Sequence, residues 1–87
     1  MGELSKLINI GPAVEKQLNE VGINTYDELK STGSREAWLK IQQIDSSACI
    51  HRLYALEGAI EQIKKSELPK ETKTALKEFY NTHKIPE

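Results

Sequence analysis

Covalent staples are missing from this chain, because a single cysteine, Cys49, excludes an internal disulfide and any zinc site built from several thiolates. Aromatic residues are scarce. One Trp, one Phe and three Tyr among 87 residues leave a core that has to be mostly aliphatic. No apolar run approaches the ~20 residues that span a bilayer, and Met1 leads into Gly2-Glu3-Leu4-Ser5 without the basic segment and apolar stretch of a signal peptide. Charge of one sign is not in excess either. Twelve Lys and Arg against thirteen Asp and Glu leave a net charge of −1, a field too weak to draw in nucleic acid or an anionic membrane from a distance. Gly-rich phosphate loops and H-E-x-x-H pairs are lacking. His51 and His83 lie far apart with no carboxylate or thiol at ligand spacing, and Cys49 and His51, two residues apart, fall on different faces of a helix. The expectation is a cytoplasmic, non-enzymatic protein without cofactor, metal or small-molecule substrate, whose cysteine is a small core residue.

What is present is helical spacing; no segment alternates apolar and polar residues long enough to make a strand. Leu4, Leu7 and Ile8 predict a short amphipathic helix, and Val14, Leu18 and Val21 repeat the stripe on a second. Between them Gly11 is expected to take a positive φ, and Pro12 to open the second helix, where its missing amide hydrogen is not needed. Gly22 then ends that helix, with Ile23 folding back onto its last turn. Thr25 and Glu28 form a capping box for a short helix over residues 26–31, with Tyr26 and Leu29 inward. Ser34 is expected to cap the next helix, residues 35–44, through Trp38, Leu39, Ile41 and Ile44. After the Asp45-Ser46-Ser47 break, the longest helix is predicted over residues 48–65. Its Cys49, Leu53, Leu56, Ile60 and Ile63 form one seam, at spacings of 4, 3, 4 and 3. Leu68-Pro69 stops it, and a last helix, for which Pro69 can serve as the first position, carries Ala75, Leu76, Phe79 and Tyr80 into a frayed tail at residues 84–87. The predicted fold class is all-α, a compact bundle of five to six short helices in one domain. Its hairpin-like half covers about residues 4–44, and the long and C-terminal helices about 46–83.

Two stretches bear on function. The turn before Pro12 offers the free amides of a helix N-terminus, so Asn9, Ile10 and Gly11, with Lys6 and Lys16 as the nearest cations, form a candidate DNA contact. Up to Gly22, however, Glu3, Glu15 and Glu20 outnumber those two lysines. Contact with only ~1–2 phosphates holds DNA in the nonspecific range of ~10⁻⁴ to 10⁻⁶ M. In the long helix, Gly58 costs ~1 kcal/mol relative to alanine and asks for a reason. Ala55, Gly58 and Ala59 make a small-residue patch. It reads either as the packing site of the hairpin or, with Tyr54 as anchor, as a docking surface for a protein partner or a second copy. Lys70, Lys73, Lys77 and Lys84 recur at spacings of 3, 4 and 7, which describes a solvated face, or a source of positive charge if DNA is bound.

The Ile8-Asn9-Ile10-Gly11 turn resembles that of a helix-hairpin-helix motif, with two of its small or rigid positions changed. Over about residues 4 to 80 the chain is more similar still to the C-terminal domain of TfoX/Sxy-type competence regulators. The matching stretches are Leu7 through Pro12, Val21-Gly22-Ile23, Thr25 through Leu29, Thr32-Gly33 with Ala37, and above all the Leu-Tyr-Ala-Leu-Glu-Gly-Ala string from Leu53 to Ala59. Ala48-Cys49-Ile50-His51-Arg52 departs from the usual entry to the long helix. The resemblance implies a small helical module, hairpin-like at its N-terminal end, from proteins that help switch on genes for DNA uptake. The regulators carry a separate N-terminal domain as well, and this chain is expected to be the free-standing module. Its expected role is a non-enzymatic regulatory or accessory protein-interaction module, which the near-zero net charge favours. The alternative is a weak, sequence-independent DNA-binding module using the hairpin turn.

Overall fold

The computed structural model describes residues 3–84. Among them the secondary structure is all helical, in five α-helices and two short 3-10 turns: Leu4–Lys6, α1 (Pro12–Glu20), α2 (Tyr26–Thr32), α3 (Ser34–Ile44), α4 (Ile50–Glu61), Lys65–Glu67 and α5 (Lys70–His83). Residues 85–87, most of the expected frayed tail, lie outside the described residues.

Several boundaries follow from local chemistry. Pro12 occupies the first position of α1 after an extended Gly11. At the other end Gly22 has φ +90°, and the Ile23 amide donates to the Leu18 carbonyl at 2.8 Å, closing the turn over a buried Ile23. The Thr25 hydroxyl accepts from the Glu28 amide at 3.1 Å, and the Glu28 carboxylate accepts in return from the Thr25 amide at 3.1 Å.

α4 is the central element and packs against α2, α3, α5 and the second 3-10 turn. Leu53, Leu56 and Ala59 of α4 are solvent-inaccessible, as are Trp38 and Ile41 of α3, Leu4, Leu18, Leu29 and Leu76. Each such leucine or isoleucine contributes about 1.5–3 kcal/mol through removal from water. Three of the five aromatics meet at Trp38. Its indole N–H donates to the Cys49 carbonyl at 3.2 Å, and Phe79 and Tyr80 of α5 meet its ring edge-on at centroid distances of 6.2 and 5.5 Å.

The structure corrects five local expectations. The left-handed residue in the first turn is Asn9, with φ 71°, whereas Gly11 is extended at φ −98° because it serves as the N-cap of α1. The first segment is a single 3-10 turn that buries Leu4 and leaves Ile8 exposed. Gly33, not Ser34, caps α3, which frees the Ser34 hydroxyl to donate to Glu57 Oε1 at 2.6 Å. α4 is shorter than its apolar seam, since Cys49 is its extended N-cap and Gln62 ends it in the left-handed region with φ 62°. Cys49 is therefore exposed and not a core residue, and Ile60 and Ile63 are only half-buried. Finally, Ala75 and Ile44 face solvent, and Pro69 is the N-cap of α5.

Candidate binding surfaces

The hairpin turn is closed by its own side chains. Asn9 reaches the segment that follows α4, where its amide nitrogen donates to the Ile63 carbonyl at 2.9 Å and its amide oxygen accepts from the Lys65 N–H at 3.2 Å. Both ends of the Asn9 amide are thus spent on backbone groups, each bond contributing about 1 kcal/mol net. Gly58 is what lets the segments come so close. A methyl group there would collide with the Asn9 amide nitrogen and lie 2.7 Å from the Ile63 carbonyl oxygen. The Glu15 side chain, 5% exposed, accepts from the Ser5 amide at 3.1 Å. It also sits in the first turn of α1, so that helix already has an anion at its positive end. Of the residues expected to meet DNA, Ile10 is buried and Asn9 half-buried in this lock, while Lys6 and Lys16 are exposed. The turn is thus bonded to the segment after α4, and the buried Glu15 carboxylate lies in the first turn of the helix that follows it.

Ala55, Gly58 and Ala59 are buried within the chain, so the small-residue patch has no free face, and of the four residues expected to meet a partner only Tyr54 is partly accessible. Its ring packs on the core, with its hydroxyl 3.5 Å from the Lys73 carbonyl.

Among the described residues, three of the surface grooves border α4. One, of about 360 Å³, has Leu39, Ile60 and Phe79 as apolar lining and Arg35, Glu36 and Glu57 as charged lining. The Arg35 guanidinium lies 5.9 Å from the centre of the Phe79 ring. One turn beyond Glu57, the Glu61 carboxyl is pushed up to about 7, first by its hydrogen bond with Glu57, then by desolvation and the negative charge of Glu57. The second groove, about 290 Å³, is lined by His51, Tyr54, Lys65, Ser66 and Lys73. The third, about 210 Å³, adjoins it through the shared His51 and Lys65 and includes Val14, Cys49 and Arg52.

A further joint was not legible as such in the sequence. Asp45 accepts from Gln17 of α1 at 2.8 Å, from Arg52 of α4 at 3.1 Å and from the Ser47 amide at 3.0 Å. The Ser47 hydroxyl, then Gln17, the Ser47 amide and Arg52, hold its carboxyl well below the usual carboxylate range. The Asp-Ser-Ser cluster signalled a break; its distant partner, Gln17, needed the fold. Among the described residues no group of three His, Cys, Asp or Glu side chains is placed to hold a metal ion. No helix of the described residues is long and apolar enough to cross a membrane.

This architecture is that of a small all-α domain with a hairpin-like front half locked onto a central helix. The chain belongs to the TfoX C-terminal domain family, whose description matches residues 1–80. It is 34% identical over 76 residues to Protein Sxy of Escherichia coli K12; the match covers 87% of this chain and 36% of Sxy, so the chain spans about a third of that relative's length. Two crystal structures from Listeria monocytogenes share the fold, both at 47% identity and 91% coverage of this chain. The first, an uncharacterised protein in a triclinic form, has a TM-score of 0.90 and is covered over 90% of its length. The second, a protein of unknown function in a tetragonal form, has a TM-score of 0.88 and is covered over 98%.

Proposed function

We propose that this chain is a non-enzymatic, regulator-type protein-interaction module, comparable in role to the C-terminal part of Sxy. The observation that carries the reading is the Asn9 lock: the turn that would clamp a DNA phosphate spends its side chain on Ile63 and Lys65 and keeps the Glu15 carboxylate beside the helix end. What remains accessible is a set of grooves with apolar and charged lining, the kind of surface on which protein partners find anchors.

Two measurements test this. Titration of the protein with a short duplex at low salt should leave the amides of Asn9, Ile10 and Gly11 unmoved, and saturable, salt-sensitive shifts there would replace this reading with the DNA-binding one. Photo-crosslinking in bacterial cells, with benzoylphenylalanine at Glu36 or Lys65 and at the exposed Glu20 as control, should give discrete protein adducts from a groove position only. Adducts equal to the control would defeat the interaction reading.

A further inference from the structure

We propose that the two adjoining grooves at the first turn of α4 form a docking site for an acidic peptide segment of a protein partner, with Lys65 and Lys73 as its cationic contacts and Tyr54 as its apolar wall. The inference rests on the interaction-module reading and names the surface and the chemistry of the partner.

The argument is one of charge complementarity. The chain as a whole carries −1, yet among the described residues no carboxylate lines either groove, whereas Lys65, Lys73, His51 and Arg52 do. The first groove is mixed by contrast, with Arg35 beside Glu36 and Glu57. Carboxylates are therefore confined to one of these surfaces, and an acidic ligand is directed to the carboxylate-free grooves. Arg52 is paired with Asp45 at 3.1 Å, which leaves the two lysines as the unneutralised cations. Both are positioned. The Lys65 backbone N–H is held by Asn9, and Lys73 Nζ donates one hydrogen to the Ser66 carbonyl at 3.2 Å, keeping two for a ligand. His51 stands in the first turn of α4, which has no acidic residue, so the positive end of the helix adds to the field. The half-buried Tyr54 ring lines the same groove as the two lysines and is met edge-on by His51 at 6.3 Å, and Val14 adds apolar surface next door.

Two free cations hold too few phosphates for nucleic acid to bind tightly. The same two beside an apolar wall suit a short segment in which carboxylates flank an apolar side chain. The hairpin lock gains a purpose here, because Asn9 fixes the loop that carries Lys65.

The test uses the capped peptide Asp-Glu-Phe-Asp-Glu, its uncharged counterpart Asn-Gln-Phe-Asn-Gln, and a single-stranded oligonucleotide of similar charge, each titrated into the labelled protein. The acidic peptide should give saturable shifts at the amides of His51, Tyr54, Lys65 and Lys73. The uncharged peptide should not, and added salt should weaken the complex. Lys65→Glu with Lys73→Glu should weaken it about tenfold while the rest of the amide spectrum keeps its dispersion. Absence of saturation, unchanged affinity in the reversal variant, or tighter binding of the oligonucleotide at these amides would each overturn the proposal. If the peptide fails while crosslinks form from Glu36, the docking site is wrong and the interaction reading survives. If crosslinks fail as well, both fall.

Discussion

Two kinds of chain reversal in this protein make an instructive comparison. Gly22 and Gly33 turn the backbone with φ of +90° and +86°, and a β-carbon at either would meet no atom within 4 Å. Those reversals are local, because glycine takes the conformation without help. Asn9 and Gln62 adopt φ of 71° and 62° with ordinary side chains, and both are held from outside their own segments. Asn9 bonds to Ile63 and Lys65, and the Gln62 amide donates to the Tyr26 hydroxyl at 3.3 Å, which itself donates to the Ile60 carbonyl at 2.7 Å. The unaided reversals punctuate the front half; the aided ones join it to the end of α4. A left-handed residue other than glycine is here a mark of tertiary contact.

The comparison breaks most strongly at Asn9. Asn9→Ala should cost about 3 kcal/mol in urea unfolding, combining two lost hydrogen bonds with the strain of an alanine at positive φ. Asn9→Gly should cost about 2 kcal/mol, since glycine keeps the conformation and loses only the bonds. Equal losses would mean that the backbone there carries no strain. Gly58→Ala should come next, at about 2 kcal/mol after allowance for alanine's better helix propensity, because the Ile63 carbonyl is backbone and gives way poorly. In the Asn9→Gly background that cost should shrink, and strict additivity would show that the two positions do not act as one joint. Gly22→Ala, in open space, should lose only about 1 kcal/mol through its φ.

The smallest expected effect is on pH dependence. With its folded value raised from 4.5 to about 7, Glu61 favours the fold when protonated, so its contribution is complete below about 4.5 and fades as pH rises through about 7. Asp45 acts in the opposite sense: with its value lowered, its contribution is present above its ordinary 3.8 and lost as pH falls below it. Thermal melts should therefore show higher stability at mildly acidic pH than above pH 8, and Glu61→Gln should flatten that slope while leaving the acid limb. A slope unchanged in the variant would place its origin elsewhere.

Much of the fold was legible in the sequence where a residue's role is settled by its neighbours in the chain. Pro12, the Gly22-Ile23 turn and the Thr25–Glu28 capping box act within a few residues, and each stands where its chemistry requires. The same reasoning failed at α4. Its apolar seam predicted a helix over residues 48–65, but Cys49 and Gln62 end it earlier, and the residues beyond bend to meet the hairpin. Gly11 was the natural candidate for positive φ; Asn9 took that role because its side chain had two distant backbone partners. The candidate site was less legible than the fold. Gly58 and the alanines of the small-residue patch were conspicuous, but apolar spacing along one helix does not say which neighbour covers it.

By itself the sequence determined the all-α class, most helix starts and stops, and the absence of covalent staples, since these depend on backbone sterics, capping and composition acting locally. The tertiary structure alone decided that the Asn9 turn bonds to the end of α4 and that two adjoining grooves are lined by cations without a carboxylate. Those outcomes depend on which side chains meet across long stretches of sequence, as when Asn9 meets Ile63 or Asp45 meets Gln17.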